Sequence, residues 1–224
     1  MTIRWQRELP QWLLILAMFA VAAATWSSMP DRIPVHWNIT GQVDRYGGKA
    51  EGLLALPILA LVIYLVLLLS PRLFRATEAQ LGGVYVGVRI AVLVFLAVLY
   101  GLILLQVRNG TFDIAPAIMT LVGLLFVGLG SVMGRMRPNA IMGIRTPWTL
   151  RSEASWVASQ RLGGWLFIAS GVLFVVTGLL GQPWLLLVTV AVLFIGTIYL
   201  TWYGYRVFRD DPNRLPQGQS LLSR

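Results

Sequence analysis

The stretch Leu53–Ser70 reads LLALPILALVIYLVLLLS: eighteen residues without an Asp, Glu, Lys, Arg or His. At 1.5 Å per residue such a run spans about 27 Å as a helix, close to the roughly 30 Å of a bilayer's hydrocarbon. Comparable apolar runs recur on either side. Six can be marked: Trp12–Ser28, Leu53–Ser70, Ile90–Val107, Pro116–Met133, Leu162–Gly181 and Trp184–Tyr203. The composition agrees, with 57% hydrophobic and 12% charged residues in 224 and a mean hydropathy of +0.73. A water-soluble globule is excluded, since such domains carry about twice that charged fraction. The expected fold is an all-α polytopic membrane protein with six transmembrane helices. With no cysteine, the chain has neither disulfides nor thiolate nucleophiles nor cysteine-held zinc.

The net charge of +9 would suggest nucleic acid in a soluble protein, but here it sorts by side of the membrane. Outside the six runs, 14 of the 18 Lys and Arg fall on the side of the two termini and 4 on the other. The positive-inside rule therefore predicts both termini in the cytoplasm and no direct nucleic-acid partner. Arg4, Arg7, the apolar run from Trp12 and Ala22-Ala23-Ala24 also resemble a cleavable signal peptide. A retained first helix is the preferred reading, because the apolar run exceeds a usual signal core.

By these boundaries no span holds Asp, Glu, Lys, Arg or His in its interior, and Arg89 and Arg108 flank the third. This disfavours proton-coupled carriers and pumps, which keep such groups at membrane depth. The hydroxyls inside the spans, among them Thr120, Ser131, Ser170, Thr177, Thr189 and Thr197, are expected to bond within or between helices, as is Gln106. Gly83/Gly87 and Gly130/Gly134 have the small-xxx-small spacing of close helix approach, a weak signal among 22 glycines.

Two connectors are more than links. The outer one, Met29–Gly52, is MPDRIPVHWNITGQVDRYGGKAEG. Ile33, Val35, Trp37 and Ile39 alternate with Pro34, His36, Asn38 and Thr40, the two-residue period of a strand. Gly41-Gln42 is placed to close a type II′ turn into Val43–Tyr46, which predicts a small extracytoplasmic hairpin. His36, the single histidine, is open to four readings: a hydrogen-bonded structural group, a contact for an external ligand, a proton-sensing group, or a metal ligand. No metal or other cofactor is expected, because one His without Cys makes a poor zinc site. Catalysis, which generally needs paired acids, a His-supported nucleophile or a metal, is not expected either. Asn38-Ile39-Thr40 and Asn109-Gly110-Thr111 match the glycosylation tripeptide and are taken as chance.

The inner connector, Gly134–Arg161, is GRMRPNAIMGIRTPWTLRSEASWVASQR, with five arginines and one acid. Pro138, Gly143 and Pro147 break it, and Ser152 is placed to cap a short helix through Trp156 into the fifth span. Trp148 and Trp156, flanked by Arg145, Arg151 and Arg161, are expected at the inner lipid interface. Arg145-Thr146 can alternatively donate to a phosphate or carboxylate on a lipid or an acidic cytoplasmic partner.

These two connectors carry a family resemblance. Pro30-Asp31-Arg32-Ile33-Pro34-Val35-His36-Trp37-Asn38, followed by Gly41, Asp44 and Tyr46, resembles a bacterial domain of unknown function that often precedes an SdpI module. Asn139, then Gly143-Ile144-Arg145-Thr146-Pro147 with Thr149, Ser152 and Trp156, is similar to the SdpI immunity family itself. The resemblance implies an N-terminal domain at 10–65, a third span with connecting loops at 66–114, an SdpI-like module at 115–205 and a cytoplasmic tail at 206–224. It further implies a non-enzymatic protein of the bacterial inner membrane whose relatives protect the cell from a secreted peptide toxin and hold a transcriptional repressor at the membrane. The toxin side would be His36, Trp37, Asn38, Asp44 and Tyr46. The repressor or head-group side would be Asn139, Gly143, Arg145, Thr146, Trp148, Trp156 and Arg161. The alternative function is a small transporter or lipid-handling protein.

Overall fold

A computed structural model describes residues 5–38, 41–74, 76, 78–110 and 113–223. Six long helices appear: α1 (Trp5–Thr25), α2 (Lys49–Leu73), α3 (Glu78–Asn109), α4 (Ile114–Met133), α5 (Glu153–Leu180) and α6 (Pro183–Asp210). Each is long and apolar enough to cross a membrane. Two strands, β1 (Arg32–Trp37) and β2 (Val43–Gly48), form an antiparallel hairpin between α1 and α2. The chain is an all-α polytopic membrane protein with one small hairpin.

The helices outrun the apolar windows mainly at one end. α1 starts seven residues early, α3 twelve and α5 nine, while α6 continues seven residues late. All four extensions lie on the side of the termini. The polar backbone there needs its hydrogen bonds whether or not lipid surrounds it, so the helix continues past the last apolar residue. α3 bends at Gly82, whose φ of 56° is a left-handed conformation that glycine enters without steric cost.

The extensions overturn one sequence expectation. Arg89 is inside α3 rather than at its end, and Glu8 is inside α1; both are buried. Arg89 Nη2 donates to Glu8 Oε1 at 2.7 Å, and Tyr64 Oη of α2 donates to Glu8 Oε2 at 3.1 Å. The Arg89 guanidinium also lies over the Tyr85 ring, 5.4 Å from its centroid. The N-terminal half thus has a charged pair joining three helices. Around it Ile15, Met18, Leu53, Ala60, Leu93 and Leu96 form the apolar core.

The C-terminal half is held differently. α4 and α5 pack along facing glycines: a Cβ on Gly123 would sit 2.5 Å from the Gly171 carbonyl oxygen, and one on Gly130 would sit 2.6 Å from that of Gly164. Gly178 lies equally close to the Pro116 carbonyl. Gly83, Gly87 and Gly134, by contrast, face open space, so of the two predicted small-xxx-small pairs only Gly130 makes a close contact. The seam repeats every seven residues, about two helical turns, which keeps one face of each helix toward the other.

Intramembrane hydroxyls mostly bond back to their own helices. Thr120 donates to Pro116 O at 2.9 Å, Thr177 to Leu173 O at 2.7 Å and Thr189 to Leu185 O at 2.9 Å. The α5–α6 turn is closed by Gly181, left-handed at φ 61°, followed by Pro183 at the start of α6.

Candidate functional site

The hairpin sits on the N-terminal ends of α2 and α4. Ile33 is fully buried, and Gly52 of α2 leaves the room it occupies, since a Cβ there would meet Ile33 Cγ2 at 2.5 Å. At the tip, Gly41 abuts Ala115 and the N-capping Asp113 of α4. The turn is not the two-residue type II′ form. Gly41 N donates to Asn38 O at 2.9 Å, with Gly41 left-handed at φ 81°, and Asn38 Oδ1 accepts from Gln42 N at 2.9 Å. This is a longer loop closed by a left-handed glycine, and Asn38 builds it. Ile39, Thr40 and Thr111 lie outside the described residues, and with them parts of both glycosylation tripeptides.

β1 is irregular between Pro34 and Trp37, where the pairing shifts on both sides of His36. Pro34 has no N–H for the ladder, and a bulge re-aims the following side chain. His36 projects into solvent and its Nδ1 meets Asp44 Oδ1 at 2.6 Å. Arg45 pairs with Glu51 at 2.7 Å, and Lys49 reaches Asp31 at 3.4 Å. Gly47 makes room for the Glu51 carboxylate, whose Oε2 would lie 2.3 Å from a Cβ there. Tyr46 is half exposed, with the Arg32 guanidinium 5.6 Å from its ring centroid. The indole nitrogen of Trp37 is buried without a hydrogen-bond partner among the described residues. The exposed face of the hairpin is therefore a charge-compensated patch of one imidazole, one phenol and several ion pairs. Among the described residues no three His, Cys, Asp or Glu side chains converge on a metal position.

The inner connector is a folded plate wired to itself. Asn139 is completely buried; its Oδ1 accepts from Ile141 N and Met142 N, both at 2.8 Å, and its Nδ2 donates to Arg137 O. Gly143, at φ 95°, lies against the Gln160 amide, which spans the Ile144 backbone with Oε1 accepting from N and Nε2 donating to O, each at 3.1 Å. Thr149, also fully buried, accepts from Thr146 N at 2.9 Å and donates to Ile144 O at 3.0 Å. Ser152 caps α5 as expected, accepting from Ser155 N at 3.0 Å, but the helix it caps is continuous to Leu180.

Trp156, expected at the lipid interface, is fully buried, and its Nε1 donates to Met136 O at 2.7 Å. Trp148 is half buried, edge-on to Tyr205 of α6 with centroids 5.7 Å apart. Both indoles fasten the plate to α5 and α6. Burial among protein groups wins here because the plate's backbone supplies acceptors that lipid tails lack. Thr146 is occupied by Thr149, while Arg145 is exposed and donates to Ala140 O. Arg161 is exposed on α5.

The chain's end straps the plate. Arg151 Nε and Nη2 both donate to Leu215 O, at 3.1 and 2.9 Å, and Leu215 N donates to Arg151 O at 2.8 Å. Ser152 Oγ donates to the buried carboxylate of Asp211. Gln160, Asp211 and Leu215 escaped the sequence reading because their partners are backbone groups or distant residues. The plate also touches the other half, where Ile141 and Met142 pack on Leu81 and Tyr85.

Fold and site together define a multi-pass membrane protein with a hairpin between α1 and α2 and a plate between α4 and α5. Residues 13–61 match the domain of unknown function DUF1648, and residues 135–204 match the SdpI/YfhL protein family. The two matches fall in that order along the chain. It is 20% identical to "Immunity protein SdpI" of Bacillus subtilis (strain 168) over 202 residues, covering 88% of this chain and 93% of that protein. No solved structure matches it.

Proposed function

We propose that the chain is an immunity protein of the bacterial cytoplasmic membrane, both termini inside, that binds a membrane-active peptide through its outer hairpin. The observation that carries this reading is the nearly full-length similarity to an immunity protein. The hairpin supports it physically, because an ordered patch presenting His36, Asp44 and Tyr46 costs little conformational entropy to dock against. Trp37 and Asn38 contribute as framework, one under the hairpin and one in its turn. On the inner face the plate holding Asn139, Gly143, Thr146, Trp148 and Trp156 positions the exposed Arg145 for an acidic partner such as a transcriptional repressor, with the exposed Arg161 of α5 beside it for lipid head groups. The division into an outer-loop domain at 10–65 and an SdpI-like module at 115–205 belongs to the same proposal, and the protein acts by binding, without catalysis.

Deleting the gene and challenging cells with a panel of membrane-active peptides tests the reading. Sensitivity to at least one peptide should rise, and wild type should restore resistance where an H36A/Y46A variant at equal membrane level does not. Unchanged sensitivity across the panel would contradict it. A small carrier is the second reading, favoured by the buried Glu8–Arg89 pair, since ionisable groups buried among spans commonly mark a pathway. Uptake of substrate into vesicles that fails in both E8Q and R89Q would favour that alternative.

A further inference from the structure

Between the inner ends of α5 and α6 lies an open groove of about 730 Å³, independent of the outer patch. Leu162, Trp165 and Tyr199 line its deeper part, Arg161 and Tyr203 its middle, and Glu153 its far end. Trp165 is 64% and Tyr199 52% exposed, so large apolar faces are bare on both walls. Arg161 and Glu153 make no ion pair among the described residues. The order of these groups along α5 matters. The cation borders the apolar part, and the carboxylate stands eight residues, about 12 Å, further toward the aqueous end. Because helical side chains lean toward the N-terminus, Arg161 reaches back into part of that distance.

A phospholipid presents the same sequence of chemistry: acyl chains, then a phosphate, then the head-group substituent further out. Phosphate suits a guanidinium, which donates two parallel hydrogen bonds. The substituent facing Glu153 should then be cationic. A primary ammonium donates hydrogen bonds to a carboxylate, whereas a quaternary one cannot and a glycerol carries no charge. We propose that this groove is a binding site for phosphatidylethanolamine, with acyl chain on Trp165 and Tyr199, phosphate on Arg161 and ammonium on Glu153.

Native mass spectrometry of the full chain in detergent, with phosphatidylethanolamine, phosphatidylcholine and phosphatidylglycerol of identical acyl chains, tests the site. Wild type should retain the ethanolamine lipid most. R161Q should weaken retention of that lipid by about tenfold, the worth of one charge-assisted contact. E153Q should keep binding but lose the preference over phosphatidylglycerol. A158F, which fills the floor of the groove and leaves both charges, should abolish the adducts, with circular dichroism confirming the fold of each variant. Equal retention of the three lipids by wild type, or adducts unaffected by both R161Q and A158F, would overturn the assignment. A soluble acidic protein that competes the lipid off through Arg161 alone, indifferent to E153Q, would also do so.

Discussion

Glu8 and Arg89 are separated by 81 residues in sequence and 2.7 Å in space. Each is expensive inside a membrane bundle when alone, yet together with Tyr64 both Glu8 oxygens are hydrogen-bonded and the Arg89 charge is neutralised. Breaking one partner leaves an uncompensated buried charge, so E8L and R89L should each lose about 3–5 kcal/mol of stability. The double variant E8L/R89L should recover most of that loss, because an apolar replacement of a buried pair is often neutral or better. Thermal unfolding of the four proteins in detergent gives the double-mutant cycle, and additive losses would contradict a coupled pair. Nothing local in the sequence announces this contact. A hydropathy reading stops a span at its first charge, as it did at Arg89, because it cannot see the distant partner that neutralises it. His36 was legible as an exposed group on a strand, since a period of two requires only neighbours, but its partner Asp44 could be named only as a candidate.

At the scale of elements, the α4–α5 seam depends on hydrogen in place of a side chain at Gly123, Gly130, Gly164, Gly171 and Gly178. Without a hydrophobic force between helices in lipid, close backbone approach is what holds such a pair. G171A places a methyl 2.6 Å from the Gly123 carbonyl oxygen, and should cost about 1–3 kcal/mol through forced separation. G87A, at an open helical position, should be neutral or stabilise by up to about 1 kcal/mol. Unfolding midpoints of the two variants decide the matter, and equal shifts would contradict the seam. The seam has a seven-residue spacing shared between two helices, so a search for glycines four apart within one helix finds the wrong pairs. The hairpin shows the opposite case. Its strands follow from alternation, whereas its turn, with Asn38 and Gly41 as the bonded ends, follows from side-chain bonding that two adjacent residue types do not reveal.

For the whole molecule, hydropathy and charge distribution were enough to establish six spans and predict an orientation, because both are sums over many residues. What they could not show is the inner architecture: helices running past their apolar windows, the plate at 134–152, and the terminal strap through Asp211 and Leu215. Those depend on bonds between residues as far as 70 apart. The account's central claim is that the hairpin and the plate lie on opposite sides of a membrane crossed six times. The native chain has no cysteine, which makes single replacements clean reporters. Y46C and R145C, both at exposed positions, can be challenged in intact cells with a membrane-impermeant maleimide. Labelling of Y46C in intact cells, with R145C labelled only after the membrane is opened, is the predicted result; R145C labelled from outside, or both positions labelled alike, would contradict it.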